Sequence, residues 1–460
     1  MTASGDYLCS MIESMADERP TDYIETYGCQ MNVSDSELML GSLEAHGYRS
    51  VHGPAGADVI LLNTCAIREH AETRVIGRLG ELKRNMKPNS IMGVTGCMAQ
   101  RLGPRLLESA RHVSLVVGPD GYRALPQLVE NARRGEKTIA TTFDLEEHYE
   151  DFKPKRFDKV KAWIPVQRGC DYRCTYCIVP YTRGSERSRL LADVVRETEG
   201  VVADGMTEVV LLGQTVNSYN DGAHDFADLL RAVGAVDGVK RIRFTSPHPN
   251  DFSDRVIEAM AEVPAMCEHV HLPMQSGSTP LLKRMLRRYS REGYLECVDR
   301  LRAAVPGLAL TTDVIVGFPG ETEDDFAETL SAVTEVGFSD AFTFKFSLRE
   351  GTPAERMPAE WTISDEVASD RLGRLVALVR SIARDENLTR LGQRTEVLVE
   401  KMARKGDALL QTRTRDFKTV LVNGVEDMIG SYHMVELTGT TGSAFTGQIV
   451  KERKPLAVVG

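Results

Sequence analysis

Short apolar runs mark the first 120 residues and alternate with segments whose apolar positions recur at helical spacing. Four of these runs are predicted to be strands, at residues 23–26, 57–62, 90–95 and 114–117. Between them, the polar run 34–37 resembles a capping box that opens a helix, and residues 66–84 and 101–110 are predicted to be helical. This alternation predicts a parallel sheet with helices on both of its faces.

From residue 161 to residue 346 the chain repeats an apolar run followed by a helical segment. The candidate strands are 162–166, 208–212, 241–245, 269–272, 308–316 and 341–346. Six βα units predict an open, partial (β/α)6 barrel. In such a barrel the chemistry is expected in the loops that follow the strands.

A helix predicted at 364–389 leads out of this region, and five short strands follow it, separated by Gly, Asn and Asp turns. These strands are 395–400, 408–413, 418–421, 432–437 and 446–450. They predict a small antiparallel, OB-like β-barrel, so the fold class as a whole is α/β. The predicted division is a tail (1–20), an α/β domain (21–138), a linker (139–155), the partial barrel (156–388), the small barrel (389–454) and a tail (455–460).

Composition fits a soluble enzyme of several domains. At roughly 100 to 200 residues per domain, 460 residues allow two to four domains. There is no run of 18 apolar residues, and the first 20 residues lack a basic start followed by an apolar run. We therefore expect a cytoplasmic protein, monomeric and without a membrane partner, whose thiols are kept reduced.

The net charge is −10, but local charge decides where a polyanion binds. Residues 153–196 hold eleven Lys or Arg against four Asp or Glu, and residues 283–288 read KRMLRR. Residues 390–454 hold eleven basic residues against eight acidic ones. Basic runs are often solvated helix faces, but several in one chain are compatible with an RNA partner.

Three cysteines stand close together after the first strand of the partial barrel, as Cys170, Cys174 and Cys177. A zinc site usually takes four protein ligands, and a disulfide scaffold uses dispersed cysteines in a short secreted chain. Three thiolates can instead hold three irons of a [4Fe-4S] cluster and leave the fourth iron open to a ligand that is not protein. A zinc knuckle or a set of buried thiols is the alternative interpretation.

Three other cysteines each fall just after a predicted strand of the α/β domain, at Cys29, Cys65 and Cys97. Because the carboxyl ends of parallel strands share one edge of a sheet, these residues are expected to converge on a second three-thiolate site. The alternative is that they are small buried hydrophobes, as free cysteines often are. The cysteines that fit neither set, interpreted as structural or incidental, are Cys9, Cys267 and Cys297.

The motifs resemble those of a known family. The three-cysteine loop, with an aromatic residue before its last cysteine, is similar to the signature of radical S-adenosylmethionine (SAM) enzymes. Residues 27–32 (YGCQMN), 63–69 (NTCAIRE) and 179–184 (VPYTRG) resemble the corresponding segments of MiaB-type tRNA methylthiotransferases within that superfamily. The resemblance runs from about residue 21 to the carboxyl terminus, and its last part is similar to the RNA-binding TRAM domain.

This resemblance implies two [4Fe-4S] clusters, of which the one on Cys170, Cys174 and Cys177 binds SAM. The residues that the family pattern places beside SAM are Tyr176, Gly213, Gln214, Gly317 and Glu321. Gly213 and Gln214 match the stretch near the SAM amino group, and residues 317–321 match the stretch along the cofactor. No residue beyond the cluster ligands is given a catalytic role, and His248 and His271 are interpreted as packing residues.

The implied substrate is tRNA that carries N6-isopentenyladenosine at position 37, held by its anticodon stem-loop. The product is the 2-methylthio derivative. One SAM donates the methyl group and a second is cleaved to a 5′-deoxyadenosyl radical, because carbon 2 of adenine carries an unactivated C–H bond that acid-base groups cannot attack. A flavodoxin or ferredoxin is implied as the electron donor.

Two alternatives remain open from the sequence. The first is a methylthiotransferase for threonylcarbamoyladenosine in tRNA or for a ribosomal-protein side chain; the Gln-Met-Asn that follows Cys29 favours the isopentenyl substrate instead. The second is a protein without enzymatic activity, an iron-sulfur RNA-binding or electron-transfer protein. Release of 5′-deoxyadenosine would separate an enzyme from the second alternative.

Overall fold

The computed structural model describes residues 18–66, 69–404 and 408–450, and for residues 69–73 it describes the backbone alone. Cys9 lies outside these residues. The chain divides into two compact units. The first unit runs to Phe157 and also includes Tyr181–Arg183, and the second unit contains Asp158–Pro180 and the chain from Gly184 onward.

The first unit is built on a six-stranded parallel sheet. Its strands are β1 (Thr21–Tyr27), β2 (Arg49–Ser50), β3 (Val59–Thr64), β4 (Ile91–Gly96), β5 (Leu115–Val117) and β6 (Thr138–Ala140). They are ordered β2-β1-β3-β4-β5-β6, and every neighbouring pair is parallel. The predicted parallel sheet is confirmed. The two edge strands were not predicted, because segments of two and three residues carry no periodicity.

Helices cover both faces of this sheet and bury a separate apolar core on each. They are α1 (Gln30–Ala45), α2 (Glu69–Asn85), α3 (Cys97–Leu102), α4 (Pro104–Ser109) and α5 (Leu125–Arg133). The predicted capping box at 34–37 was wrong, because the N-cap of α1 is Cys29, five residues before Ser34. The helix predicted at 101–110 is interrupted at Gly103, which has a φ of +48° and precedes Pro104.

The second unit contains six parallel strands in sequence order, which confirms the predicted partial barrel. Its elements are β7 (Lys161–Pro165), β8 (Gln167–Arg168), α6 (Val179–Arg183, whose last three residues belong to the first unit), β9 (Arg187–Ser188), α7 (Leu191–Ala203), β10 (Glu208–Leu212), α8 (Phe226–Gly234), β11 (Arg241–Phe244), α9 (Asp254–Glu262), β12 (His269–His271), α10 (Thr279–Arg284), α11 (Arg291–Ala304), β13 (Ala309–Val316), α12 (Glu323–Val336) and β14 (Asp340–Lys345). The sheets β7-β10-β11 and β12-β13-β14 are joined by a parallel bridge between Ile242 and Met266. One large apolar core lies between these strands and their helices.

The long helix α13 (Asp365–Thr389) leads into a closed five-stranded barrel. The barrel strands are β15 (Arg394–Met402), β16 (Leu409–Thr414), β17 (Thr419–Asn423), β18 (Tyr432–Thr440) and β19 (Ala444–Ile449). They close in the order β15-β16-β17-β19-β18 around a core that includes Val397, Val420 and Phe445. The small OB-like barrel is confirmed, with one difference: β17 and β19 pair in parallel.

Buried arginines attach this small barrel to the strands of the partial barrel. Arg241 donates a hydrogen bond of 2.8 Å to the Arg413 carbonyl, and Arg243 donates bonds of 2.8 Å to the carbonyls of Thr414 and Arg415. The Arg415 guanidinium forms an ion pair with Glu268 at 2.9 Å. These contacts fix the barrel against the amino-terminal ends of β11 and β12.

The same contacts change the interpretation of the basic surplus in residues 390–454. Arg413 pairs with Glu400 at 3.1 Å, and the Lys418 ammonium donates to the Ser339 carbonyl at 3.0 Å. Together with Arg415, these cations are engaged inside the second unit. Counting charges along the chain therefore overestimates the number of cations that this region presents to RNA. No helix in the described part of the chain has the length and hydropathy needed to cross a lipid bilayer.

Candidate metal centres

Cys29, Cys65 and Cys97 follow three neighbouring strands of the first unit. Cys29 is the N-cap of α1 after β1, Cys65 comes directly after β3, and Cys97 is the first residue of α3 after β4. Since β1, β3 and β4 are adjacent and parallel, the three cysteines lie at the same edge of the sheet. Cys65 and Cys97 are buried, and Cys29 is partly exposed.

The loops that carry these cysteines approach each other too closely for larger residues. A Cβ atom on Gly28 would lie 3.0 Å from the Cys65 Cβ, and one on Gly96 would lie 2.6 Å from the Thr64 carbonyl oxygen. Gly96 also has a φ of +87°, which favours glycine. The Asn32 side chain connects the loops, because it accepts a hydrogen bond from the Cys29 amide at 3.3 Å and donates one to the Thr64 carbonyl at 3.3 Å.

A buried cation faces this site. The Arg183 guanidinium donates to the Cys97 Sγ at 3.3 Å and forms an ion pair with Asp35 at 2.6 Å, and both charged side chains are buried. The Tyr122 hydroxyl also donates to Asp35, at 3.4 Å. Burial raises the pKa of Cys97, and the positive charge of Arg183 opposes that rise by favouring the thiolate.

Sequence reasoning missed both members of this ion pair. In the sequence, Arg183 belongs only to the VPYTRG motif and to a basic surplus, and Asp35 only to a predicted capping box that the structure does not contain. A usable signal was present in α1, where four consecutive polar residues (34–37) lie inside a helix that packs on the sheet. Such a polar run in a buried helix requires internal partners.

The second set, Cys170, Cys174 and Cys177, lies in the loop between β8 and α6. Two glutamines shape the start of this loop. Gln167 donates to the Gly169 carbonyl at 2.8 Å and accepts from the Gln214 amide at 2.8 Å, while the Gln214 side chain accepts from the Gly169 amide at 2.6 Å. Gly169 has a φ of +75°, and a Cβ there would lie 1.9 Å from the Ser185 carbonyl oxygen. The loop therefore requires glycine at this position.

The thiols of this loop have polar partners. Cys170 Sγ lies 3.2 Å from the Thr215 hydroxyl, and the Arg287 guanidinium donates to Cys174 Sγ at 3.3 Å. Burial, followed by the neighbouring Cys174, raises the pKa of Cys177 to about 12. Binding of a metal must therefore displace a proton from Cys177, as is general for thiolate ligands. In the sequence Arg287 is part of a basic run, and no local signal connects it to a thiol.

The five residues that resemblance placed beside SAM have defined positions. Gln214 is engaged with Gly169, and a Cβ on Gly213 would lie 2.7 Å from the Gln167 Oε1. The Gly317 amide donates to Glu321 at 2.6 Å, and Glu321 forms a buried ion pair with Arg371 at 2.8 Å. These contacts hold the loops in shape. A contact of the same residues with SAM stays a prediction.

Tyr176 and His248 are both packed against aromatic rings. The Tyr176 ring meets Phe318 edge-on, with the ring centroids 6.3 Å apart. His248 is stacked on Tyr172 with centroids 3.8 Å apart, and burial, with the nearby cations Arg287 and Arg288, lowers its pKa to about 2. A buried, neutral imidazole stacked in this way fits a packing role.

The residues present fit iron-sulfur clusters by the chemistry of their donors. Each set supplies three cysteine sulfurs, the ligand type that iron-sulfur clusters use. Each set also has an arginine within hydrogen-bonding distance of one sulfur, and such a donor offsets the negative charge of a thiolate-bound cluster. The fit is therefore one of donor chemistry, because within residues 18–66, 69–404 and 408–450 no three His, Cys, Asp or Glu side chains lie close enough together to hold a single metal ion.

Two family models match the chain. Residues 21–118 match the family described as Uncharacterized protein family UPF0004, and residues 164–333 match the Radical SAM superfamily. Among solved structures, the radical SAM methyltransferase TsrM from Kitasatospora setae aligns with a TM-score of 0.57 and 16% identity, covering 73% of this chain and 74% of that chain. The cobalamin-dependent SAM radical enzyme OxsB aligns with a TM-score of 0.52 and 14% identity, covering 80% and 58%. At such identities the likeness concerns the fold.

Relatives of known name are similar over most of their length. The chain is 42% identical over 437 residues to a tRNA-2-methylthio-N(6)-dimethylallyladenosine synthase of Thermoanaerobacter sp. (strain X514), covering 93% of this chain and 92% of the relative. It is 47% identical over 400 residues to the synthase of Acidothermus cellulolyticus, covering 85% and 80%. It is 43% identical over 439 residues to that of Bacillus thuringiensis, covering 94% and 86%. The chain belongs to the tRNA-2-methylthio-N(6)-dimethylallyladenosine synthase family.

Proposed function

We propose that this chain attaches a methylthio group to carbon 2 of N6-dimethylallyladenosine (N6-isopentenyladenosine) at position 37 of tRNA. The observation that carries the proposal is 42% identity over 92% of the length of a synthase of that name. Two three-cysteine sets at the ends of strands, in the two matched family regions, agree with it.

The six cysteines divide into two ligand sets: Cys29, Cys65 and Cys97 for one [4Fe-4S] cluster, and Cys170, Cys174 and Cys177 for the other. When bound, the clusters and two SAM molecules supply the sulfur, the methyl group and a 5′-deoxyadenosyl radical, which a C–H bond without activation requires. The protein contributes binding, orientation and exclusion of water.

Arg183 and Arg287 have matching tasks in the two sites. Each donates a hydrogen bond to one cysteine sulfur, at 3.3 Å in both cases. A fixed guanidinium beside a thiolate offsets negative charge in surroundings where water cannot. We assign both arginines the role of offsetting the negative charge that a cysteine sulfur carries once it is a metal ligand.

Five residues are proposed to line SAM: Tyr176, Gly213, Gln214, Gly317 and Glu321. Gly213 and Gly317 let the backbone approach the cofactor, since neither carries a side chain. Gln214 and Glu321 fix the shape of the loops, because their side chains accept hydrogen bonds from the amides of Gly169 and Gly317. Loops held by such hydrogen bonds would present a rigid backbone to SAM.

We assign residues 21–138 and 156–388 to the two cluster-binding domains, linked by 139–155, and residues 389–454 to a TRAM-like RNA-binding barrel. The tRNA would be held by the phosphates of its anticodon stem-loop, with the modified base unstacked from the loop. A flavodoxin or ferredoxin is the proposed electron donor. We further propose that the enzyme is a cytoplasmic monomer.

The test uses full-length protein reconstituted with iron and sulfide without oxygen. The protein is reduced and supplied with SAM and with tRNA that carries N6-dimethylallyladenosine. Mass spectrometry then measures 5′-deoxyadenosine and the 2-methylthio nucleoside. Replacing Cys170, Cys174 and Cys177 by Ala should abolish both products, since radical formation depends on that set.

Replacing Cys29, Cys65 and Cys97 by Ala should abolish the methylthio nucleoside and leave 5′-deoxyadenosine release. Each triple variant should bind about half the iron of the wild-type protein, by the four-iron stoichiometry of each cluster. Cys267→Ala and Cys297→Ala are matched controls, because both cysteines are free and buried and belong to neither set. Wild-type protein that releases 5′-deoxyadenosine but never forms the methylthio nucleoside would overturn the assignment.

A further inference from the structure

One face of the strands β12, β13 and β14 carries two exposed phenylalanines. Phe342 is 60% exposed and Phe344 is 40% exposed. Their register partners on β13 are Asp313 and Ile315, so the four side chains share one face of the sheet. The opposite face is occupied: Val314 and Val316 lie in the large core of the second unit.

This face lies on the inner side of the partial barrel. The apolar residues of α12 and α13 pack against the alternate residues of β13, and α13 packs along β14. In a (β/α) arrangement the face turned away from the helices is the interior. Two large aromatic side chains exposed side by side on such a face indicate a binding surface, because unpaired apolar area of this kind is costly in water.

The same face carries a polar pair beside the rings. His271 Nε2 lies 3.4 Å from Asp313 Oδ1, and His271 Nδ1 lies 3.0 Å from the Thr311 hydroxyl. The His271 ring also meets Phe342 edge-on, with centroids 5.8 Å apart. The carboxylate of Asp313 is therefore held in place next to an aromatic ring, and 29% of its side chain is accessible.

The chemistry of this face matches adenine with an apolar substituent on N6. A purine ring stacks on an aromatic side chain, a contact that proteins commonly use to hold an unpaired base. The N6–H of the modified base is a donor that a carboxylate accepts. The five-carbon dimethylallyl group is apolar and would bury against phenylalanine and isoleucine side chains.

Resting on the proposed function, we propose that this face receives the modified adenine itself. Phe342 stacks on the purine, Phe344 and Ile315 contact the dimethylallyl group, and Asp313 accepts the N6–H. His271 is a positioning residue that fixes the Asp313 carboxylate. The face thereby determines which N6 substituent the enzyme accepts.

The charge on this face also explains which substrates it would reject. A threonylcarbamoyl group ends in a carboxylate, which would meet the Asp313 carboxylate and two apolar rings. Binding it would bring two negative charges together on a largely apolar face, which is unfavourable. An adenine without a substituent would keep the stacking contact and lose the apolar one.

The test compares anticodon stem-loop RNAs that differ only at position 37, with dimethylallyladenosine, adenosine or threonylcarbamoyladenosine. Reconstituted full-length enzyme is assayed for the dissociation constant of each RNA and for kcat/KM of methylthiolation. Phe342→Ala should lower kcat/KM for the dimethylallyl RNA by about tenfold or more, as expected for the loss of one base-stacking contact. Phe342→Tyr should retain most of it.

Phe344→Ala should reduce the preference for dimethylallyladenosine over adenosine in binding. Asp313→Asn should weaken binding of the dimethylallyl RNA and narrow the discrimination against the threonylcarbamoyl RNA. Phe143→Ala is the matched control, since Phe143 is 39% exposed but lies in the first unit. It should leave all constants unchanged.

The outcomes separate this inference from the proposed function. Wild-type enzyme that methylthiolates none of the RNAs removes the proposed function. Active wild-type enzyme whose Phe342→Ala variant keeps the full kcat/KM, or whose Phe344→Ala variant keeps the full preference for dimethylallyladenosine over adenosine, overturns the inference alone. Loss of 5′-deoxyadenosine release without RNA in Phe342→Ala would also overturn it, since the ring would then support the cluster loop and not the base.

Discussion

The buried ion pair between Arg183 and Asp35 makes a quantitative prediction about the first unit. Arg183 is 4% exposed and Asp35 is fully buried, and their side chains are 2.6 Å apart. Arg183→Met keeps much of the volume of the side chain but leaves Asp35 as a buried carboxylate with the Tyr122 hydroxyl at 3.4 Å. Removing one partner of a buried pair costs about 3–5 kcal/mol.

Coulomb's law gives a similar energy for this ion pair. Two unit charges 2.6 Å apart at an effective dielectric constant of about 20 attract by about 6 kcal/mol, and part of this is offset by desolvation. We therefore expect Arg183→Met to lower the free energy of unfolding of iron-free protein by about 3–5 kcal/mol. The double variant Arg183→Met with Asp35→Asn removes both charges and should recover most of that loss.

The measurement is urea unfolding followed by circular dichroism and by hydrogen exchange of the β3 and β4 amides. Tryptophan fluorescence would miss the effect, because Trp163 and Trp361 both lie in the second unit. Arg133→Met is the control: its pair with Glu130 is exposed and 3.6 Å long, and such pairs contribute about 0–1 kcal/mol. A double variant as unstable as Arg183→Met would refute the reasoning, since the loss would then not come from an uncompensated charge.

Three further variants test other parts of the structure. Gly169→Ala should abolish 5′-deoxyadenosine release, because its Cβ would lie 1.9 Å from a backbone carbonyl oxygen, whereas Gly205→Ala, with a φ of +90° and open space around it, should retain release. Burial raises the pKa of Glu186 from 4.5 to about 7, so the folded protein holds a proton that the unfolded chain has lost. Stability should therefore fall by on the order of 1–2 kcal/mol, after allowance for solvent screening, as pH rises from about 4.5 to about 7, and Glu186→Gln should remove this slope in unfolding measured across that range. Arg243→Met should loosen the small barrel, because it removes donors to two carbonyls, and limited proteolysis should then cut after α13 faster than in wild-type protein. Unchanged cleavage would contradict that role.

The elements best predicted from the sequence are those with a clear hydrophobic pattern. The predicted strand 208–212 matches Glu208–Leu212 to the residue, because four of its five residues form a short run of valine and leucine that is buried in the sheet. Capping was harder. The pattern predicts the N-cap of α1 five residues late, at Ser34, because a Ser and a Glu three residues apart match the usual capping box better than Cys29 and Asn32, which the structure uses instead.

The candidate ligands Cys29, Cys65 and Cys97 could be selected from the sequence because strand ends in a parallel sheet share one edge. Cys170, Cys174 and Cys177 could be selected because they stand close together in the chain. Their arginine partners could not. Arg183 lies 86 residues from Cys97, and Arg287 lies 113 residues from Cys174. A count of charges along the sequence assigns such residues to a basic region but does not show where their side chains point. Only the tertiary structure distinguishes a cation that faces a thiol from one that faces water.

That distinction changes what the basic surplus means for RNA binding. Arg183 and Arg287 are bound to cysteine sulfurs, while Arg413 and Arg415 pair with glutamates within the second unit. A guanidinium held in a buried or partly buried pair keeps its charge but gives up the hydrogen bonds that a phosphate would need. The arginines that the sequence offers as an RNA surface therefore include several that assemble the enzyme, and binding of tRNA must depend on a smaller set of exposed cations than the sequence suggests.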